Sequence, residues 1–268
     1  MIWHETNNVA VIVMLTPTEE SGKEKCYQYF PLDASSSPIT FKIEGDPDGD
    51  LKCEVSFLEL SSESGSNTKI RKLCLKVGSE TKTVWHMLFT AFPDHGVPED
   101  EDRLELLELV KSSAEKNSAP ENPRTIHCSA GVGRSGTFIA LEYLLAQLDS
   151  GAVAKAKEGE DMVYEVVTQL REQRMMMVQT DTQYQFLYDV LREEFDRKQA
   201  AAYGSGQPSP KLRKLAGGIK AAMLEEKELA REHITLDLKE AETNDSRKED
   251  SRKEDRRKED EGQPPHAR

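Results

Sequence analysis

No apolar stretch in these 268 residues is long enough to cross a bilayer. The longest early run, Val9 to Leu15, falls far short of the roughly 20 residues a spanning helix needs. No basic region precedes an apolar stretch at the start, Met1-Ile2-Trp3-His4-Glu5-Thr6, so no signal peptide is read there. Positive charge is in deficit: 36 Lys and Arg against 49 Asp and Glu leave a formal charge of −13. That balance argues against nucleic acid as the main partner, because neutralising phosphates needs basic stripes. Cysteine is scarce as well. Cys26, Cys53, Cys74 and Cys128 show neither metal-ligand spacing nor the density of a disulfide scaffold. We therefore expect reduced thiols in a soluble cytoplasmic or nuclear protein, with no metal, no cofactor and no membrane insertion. The oligomeric state stays open.

What is present is concentrated in one segment. Residues 127 to 134 read His-Cys-Ser-Ala-Gly-Val-Gly-Arg, followed by Ser135 and Gly136. A cysteine, five small residues and an arginine describe a loop that can wrap a phosphate and attack it. Cys128 is the expected nucleophile and Arg134 a two-pronged clamp on the phosphoryl oxygens. Ser129, Ala130, Gly131, Val132 and Gly133 are small enough to turn their backbone N–H groups inward. The apolar run Phe138-Ile139-Ala140-Leu141, then Leu144-Leu145, predicts a helix directly after the loop. A helix N-terminus favours an anion and depresses a thiol pKa. Upstream, Arg124 to His127 reads as a short buried strand that aims the cysteine.

Around this segment the chain is organised as strands first and helices later. Val9 to Leu15 reads as a fully buried strand, with Cys26 to Phe30 and Ile39 to Ile43 as short strand candidates. Lys52 to Leu60, Ile70 to Val77 and Thr83 to Phe89 alternate as an antiparallel meander. Behind the acids Glu99 to Asp102, the spacing of Leu104, Leu107 and Val110 predicts a helix over 100–111. Val163, Val166, Val167 and Leu170 mark another. A last helix starts at Thr180 or Asp181, with Tyr184, Leu187, Tyr188 and Leu191 as its buried stripe. We place a catalytic domain at 1–198. Residues 199–268 read as a Gly/Ser/Pro linker, an amphipathic helix over 218–232 and a charged tail expected to be disordered.

Two further segments narrow the chemistry. Phe92-Pro93-Asp94-His95-Gly96-Val97-Pro98 lies between the last strand and the acidic helix, where a mobile loop belongs. A phenolate leaves poorly unless protonated, so the reaction wants a carboxylic acid opposite the nucleophile, and Asp94 is the candidate. In Met177-Val178-Gln179-Thr180-Asp181-Thr182-Gln183-Tyr184 two glutamines stand four apart at a helix start. Hydrolysis of a phosphorylated cysteine needs a water placed in line, and a neutral amide orients it without competing as a nucleophile. Gln179 takes that role first, with Gln183 in support. Ser135 is positioned to donate a hydrogen bond to the departing thiolate, and His127 to fix the loop backbone.

Together these residues resemble the tyrosine-specific, non-receptor type branch of the cysteine-dependent protein tyrosine phosphatases. The similarity runs from about Met1 to about Glu194. It includes Met1-Ile2-Trp3, Val11 to Leu15, Lys25 to Pro31, the Pro93-Asp94-His95-Gly96 loop, Cys128 to Arg134, and Gln179 to Tyr184. The resemblance implies an α/β fold around a twisted mixed β-sheet flanked by helices, no metal, and hydrolysis of phosphotyrosine on proteins through a cysteinyl-phosphate intermediate. Phosphotyrosine-containing proteins are the implied partners. Two departures stand out. Phe92 stands where the family's acid loop usually opens with tryptophan, which loses an indole N–H and some packing area. No Lys-Asn-Arg-Tyr-like segment occurs, so the upstream region that walls the family's deep phosphotyrosine pocket is missing and the fold is expected to be truncated at its N-terminus. The alternatives are a catalytically weak phosphotyrosine-binding or scaffold protein, or a truncated inactive form; a shallower pocket would also admit dual specificity. A phosphoinositide phosphatase ranks low, because residues 129 to 133 hold no lysine for extra phosphates.

Overall fold

The computed structural model describes residues 1–42, 52–61, 65–153 and 160–203. A one-turn helix α1 (Ile2–Glu5) leads into β1 (Val9–Met14), followed by the short pair β2 (Glu19–Glu20) and β3 (Lys23–Glu24). The strands β4 (Ile39–Lys42), β5 (Lys52–Ser61), β6 (Thr68–Val77) and β7 (Glu80–Phe89) come next. Then follow α2 (Asp100–Glu115), β8 (Thr125–His127), α3 (Gly133–Asp149), α4 (Met162–Gln173) and α5 (Asp181–Tyr203). The main sheet runs β4-β5-β6-β7-β1-β8. The meander from β4 to β7 is antiparallel, as its alternation predicts, while β1 inserts parallel to both β7 and β8.

That insertion explains the unbroken apolar run of β1. A strand paired on both sides and covered on both faces has no solvent side to make polar, and Ala10 to Leu15 are all buried. One face of the sheet carries Ala10, Ile12, Met14, Leu73, Leu75, Val84 and Leu88, capped by Phe30. α3 packs against α4 and α5, with Phe138, Leu141 and Leu144 fully buried. Burying each such side chain contributes about 1.5–3 kcal/mol.

Several expectations shift. Cys26 to Phe30 forms no strand; it packs on the sheet through Cys26, Tyr29 and the buried Phe30. Instead the preceding acids and lysines make the β2–β3 hairpin, whose turn residues Ser21 and Gly22 both take positive φ (53° and 73°), the geometry that suits a two-residue hairpin turn. α2 is rotated from its expected face. Leu106, Leu109, Val110 and Ser113 are buried, whereas Leu104 is 66% exposed. The same helix offers two stripes of apolar spacing, and its packing on β7 selects between them. β8 is an edge strand and only half-buried. In α5, Leu187, Tyr188 and Leu191 are buried and Tyr184 half-buried; the helix runs past the expected boundary at 198 to Tyr203. The predicted linker, amphipathic helix and charged tail lie beyond Tyr203, outside the described residues.

Candidate active site

β8 ends at His127, and the next residue enters a tight loop that closes at the N-terminus of α3. The loop's curvature rests on Gly131, at φ +71°. Gly131 donates its N–H to the Cys128 sulfur at 3.3 Å. Outside the loop, Arg174 donates from Nη2 to the Ala130 carbonyl at 3.0 Å. Since C=O and N–H of one peptide point opposite ways, tying that carbonyl outward turns the following N–H inward. The Val132 carbonyl accepts from Gly136 at 2.9 Å and from Val178 at 3.2 Å, which joins the loop to α3 and to the segment before α5.

One cleft gathers residues from three separated segments. Cys128, Ser129, Ala130, Gly133 and Arg134 form its floor, Asp94 and His95 one wall, and Gln179 and Gln183 another. Gly131 and Val132 shape the loop from behind. At Gly133 a Cβ would meet the Oε1 atoms of Gln179 and Gln183, each at 3.1 Å, so the glycine lets both amides approach. Gln183 accepts from the Gln179 N–H at 3.1 Å and donates to the Gly96 carbonyl at 3.3 Å. Thr180 adds a bond to the His95 carbonyl at 3.2 Å. The acid loop and the glutamine segment are thus tied together.

Cys128 is buried, and burial by itself pushes its thiol up. The Ser135 hydroxyl and N–H, the Gly131 N–H and the Arg134 charge outweigh that and hold the thiol below its ordinary value. The Ser135 hydroxyl is buried and has no partner other than that sulfur. Arg134, 2% exposed, donates from Nη1 to Glu20 at 3.3 Å and to the Phe92 carbonyl at 3.2 Å, and from Nη2 to Asp94 at 3.2 Å. Phe92 itself is fully buried, so its ring anchors the acid loop in the core. Lys25 reaches the other Asp94 oxygen at 2.6 Å, and that bond, helped by Arg134, holds the carboxyl below the usual carboxylate range against a smaller effect of burial.

A buried nucleophilic cysteine, an arginine fork and a carboxylate facing them are an arrangement for phosphoryl transfer, and comparison with known proteins gives it a family. A family model for the protein-tyrosine phosphatases matches residues 1–193. The chain belongs to the protein-tyrosine phosphatase family. It is 36% identical over 201 residues to tyrosine-protein phosphatase non-receptor type 21 of Rattus norvegicus, a match covering 71% of this chain and 15% of that protein. Among solved structures, the catalytic domain of human protein tyrosine phosphatase non-receptor type 18 superposes with TM-score 0.60 at 25% identity, over 72% of this chain and 62% of that one. The Trypanosoma brucei protein tyrosine phosphatase TbPTP1 does so with TM-score 0.60 at 27% identity, over 70% and 62%. The α/β fold with its twisted mixed sheet is that of the phosphatase family. The chain spans 15% of the length of the first curated relative and 62% of the two solved chains.

The cleft also contains residues to which the sequence assigned no role there. Glu20 and Lys25 come from the β2–β3 hairpin and its exit, Arg174 from the end of α4. Each acts on a partner more than 40 positions away, so no local spacing announces it. Among the described residues no cluster of three or more His, Cys, Asp or Glu could hold a metal ion, and none is long and apolar enough as a helix to cross a membrane.

Proposed function

We propose that this chain hydrolyses phosphotyrosine on proteins through a cysteinyl-phosphate intermediate. The observation that carries the reading is the arrangement around Cys128: its sulfur accepts the Gly131 N–H, while Arg134 and Asp94 face each other across the same cleft. In the first step the Cys128 thiolate attacks phosphorus. The S–P bond forms, the P–O bond to the phenol breaks, and Asp94 gives its proton to the leaving oxygen. Arg134 and the loop N–H groups from Ser129 to Arg134 stabilise the equatorial oxygens, whose charge is spread in a loose transition state. In the second step a water oriented by Gln179, itself steadied by Gln183, attacks phosphorus. Asp94 takes its proton, and the thiolate leaves with a hydrogen bond from Ser135.

Asp94 must carry a proton for the first step, although Lys25 and Arg134 favour its ionised form. The substrate supplies the correction. A phosphoryl dianion drawn onto Arg134 engages that cation and places negative charge beside the carboxyl, and both effects raise its pKa. Acid function is thereby acquired on binding. The low thiol pKa calls for a reducing compartment, cytoplasmic or nuclear, and residues 1–198 suffice for every group in the scheme.

Phosphate release from a phosphotyrosine peptide, measured beside Cys128→Ser, tests the proposal. Turnover that the serine variant abolishes supports it. Folded protein that binds the peptide without turnover overturns it and leaves a phosphotyrosine-binding module.

A further inference from the structure

Behind the phosphate loop a buried line of polar groups crosses the sheet. His86 lies on β7, paired with Arg71 of β6 on one side and Ile12 of β1 on the other. His127, the last residue of β8, pairs with Met14 two positions further along β1. Residues two apart on a strand share a face, so both imidazoles stand on the same side. The Tyr29 hydroxyl sits between them, 3.1 Å from His86 Nε2 and 2.7 Å from His127 Nε2. On its far side His127 Nδ1 lies 3.2 Å from the Cys128 carbonyl.

The hydrogens in this line follow from donor and acceptor arithmetic. A carbonyl only accepts, so His127 Nδ1 carries the hydrogen and points it at Cys128. Burial keeps His127 below its ordinary pKa, hence neutral, which makes its Nε2 an acceptor. The Tyr29 hydroxyl must then donate to His127, and burial pushes its own pKa well up, so it keeps that proton. Its oxygen is left to accept from His86 Nε2–H. Burial, with Arg71 and His127 nearby, lowers His86 to about 3, so it too is neutral and its Nδ1 is bare. His86 Nδ1 is fully buried and has no partner. The order runs one way, from His86 to Tyr29 to His127 to the Cys128 carbonyl.

The orphaned nitrogen is what makes the line informative. His86 is 0% exposed and stacks on Phe30 with ring centroids 3.8 Å apart, a place that phenylalanine would fill without leaving a buried acceptor unmet. The other charged and titratable groups facing the line are Arg71, whose guanidinium lies 5.1 Å over the Phe30 ring, Asp33 near Arg71, and Cys26 near Tyr29. None is within hydrogen-bonding distance of His86 Nδ1.

We propose that His86 is a positioning residue for the nucleophile: its Nε2–H fixes the Tyr29 hydroxyl, which fixes the ring that holds the Cys128 carbonyl. Holding that carbonyl away from the loop aims the next N–H the opposite way, toward the loop interior. Loss of the donor frees the Tyr29 hydroxyl to turn, loosens the first peptide of the loop and raises the Cys128 thiol. As a contribution to turnover this rests on the phosphatase reading; as an effect on the thiol it does not.

Two variants separate the donor from the ring. His86→Phe keeps the stack on Phe30 and removes the N–H. His86→Gln removes the ring and keeps an N–H near the Nε2 position. Alkylation of Cys128 by iodoacetate across pH, read by mass spectrometry of the Cys128 peptide, reports the thiol directly. Phosphate release gives kcat and KM, and thermal melting reports stability. The Phe variant should move the alkylation midpoint upward and lower kcat about three- to tenfold, with KM little changed, the scale of one lost buried hydrogen bond. The Gln variant should restore both despite a lower melting temperature. Should the Phe variant not fold, Tyr29→Phe breaks the line at its middle and should give the same upward midpoint. Gln impaired as much as Phe, or an unchanged midpoint in both, would overturn the proposal. A shifted midpoint in a chain whose wild type shows no turnover would uphold positioning and reject the phosphatase reading.

Discussion

Asp94 Oδ1 accepts from Arg134 Nη2 at 3.2 Å, so the carboxylate and the guanidinium of the cleft are electrostatic partners of each other. The two differ sharply in setting. The Arg134 side chain is 2% exposed and braced by Glu20 and the Phe92 carbonyl, while that of Asp94 is 38% exposed and braced by Lys25. A fixed cation facing a looser anion lets the anion yield when a stronger one arrives. In the proposed reaction a phosphoryl dianion is that stronger anion, and binding and acid activation become one event.

Asp94→Asn keeps the shape of the side chain and removes its proton. Turnover of a phosphotyrosine peptide should fall about 10²- to 10⁴-fold, the range for a lost general acid. The loss should be greatest for substrates with poor leaving groups, measured as phosphate release from a series of aryl phosphates. An equal loss across the series would place Asp94 outside the proton transfer.

The same residue carries a pH signature in stability. Its folded pKa lies below the ordinary carboxylate value of about 3.9, so the unfolded chain binds a proton more readily in acid. The stabilisation from the Lys25 and Arg134 contacts is complete above that value and disappears as pH falls through the lower folded pKa. Melting curves of wild type and Asp94→Asn should therefore converge below pH about 4. Partial exposure screens the contacts, so the gap at neutral pH should be modest.

Gly136 is a packing constraint. A Cβ built there stands 2.5 Å from the Val178 amide nitrogen, and both are backbone-anchored to the Val132 carbonyl. Gly136→Ala must push α3 away from the segment that bears Gln179. Destabilisation of about 1–3 kcal/mol is expected from overpacking. Denaturant unfolding should register it, with lowered kcat because the glutamine wall moves with it. An alanine variant as stable as wild type would contradict the close approach.

Lys82 is buried without a carboxylate. Its ammonium donates to the carbonyls of Ile2, Trp3 and Thr6, at 3.1, 2.8 and 2.6 Å, and to the Thr6 hydroxyl at 3.0 Å, closing the C-terminal end of α1 onto β7. Lys82→Met keeps the stem and abandons those acceptors. A loss of about 1–3 kcal/mol is expected, with faster amide exchange confined to the α1 region.

Much of this site is legible in the chain itself because its chemistry is local. Cys128 and Arg134 flank one run of small residues, and Asp94 sits between prolines and a glycine in a loop of its own. Glu20, Arg174 and His86 escape a sequence reading for the opposite reason, and Lys25 and Tyr29, though part of a recognisable segment, carry no sign of their contacts. Each is an ordinary polar residue whose meaning lies in a partner far along the chain. Leu104 shows the same limit in the core, since a helix with two apolar stripes does not declare which one its neighbour will cover.

The sequence by itself determined the long strands, the helices after them and the small-residue loop from Cys128 to Arg134, because periodicity and loop composition act over a few residues. Tertiary structure alone decided that β1 inserts parallel between β7 and β8, which brings the ends of β1, β7 and β8 to one edge of the sheet. From that edge the hairpin, the acid loop and the phosphate loop converge. There Lys25 and Arg134, more than a hundred positions apart, both bond the Asp94 carboxylate, and Arg134 also acts on the Cys128 thiol.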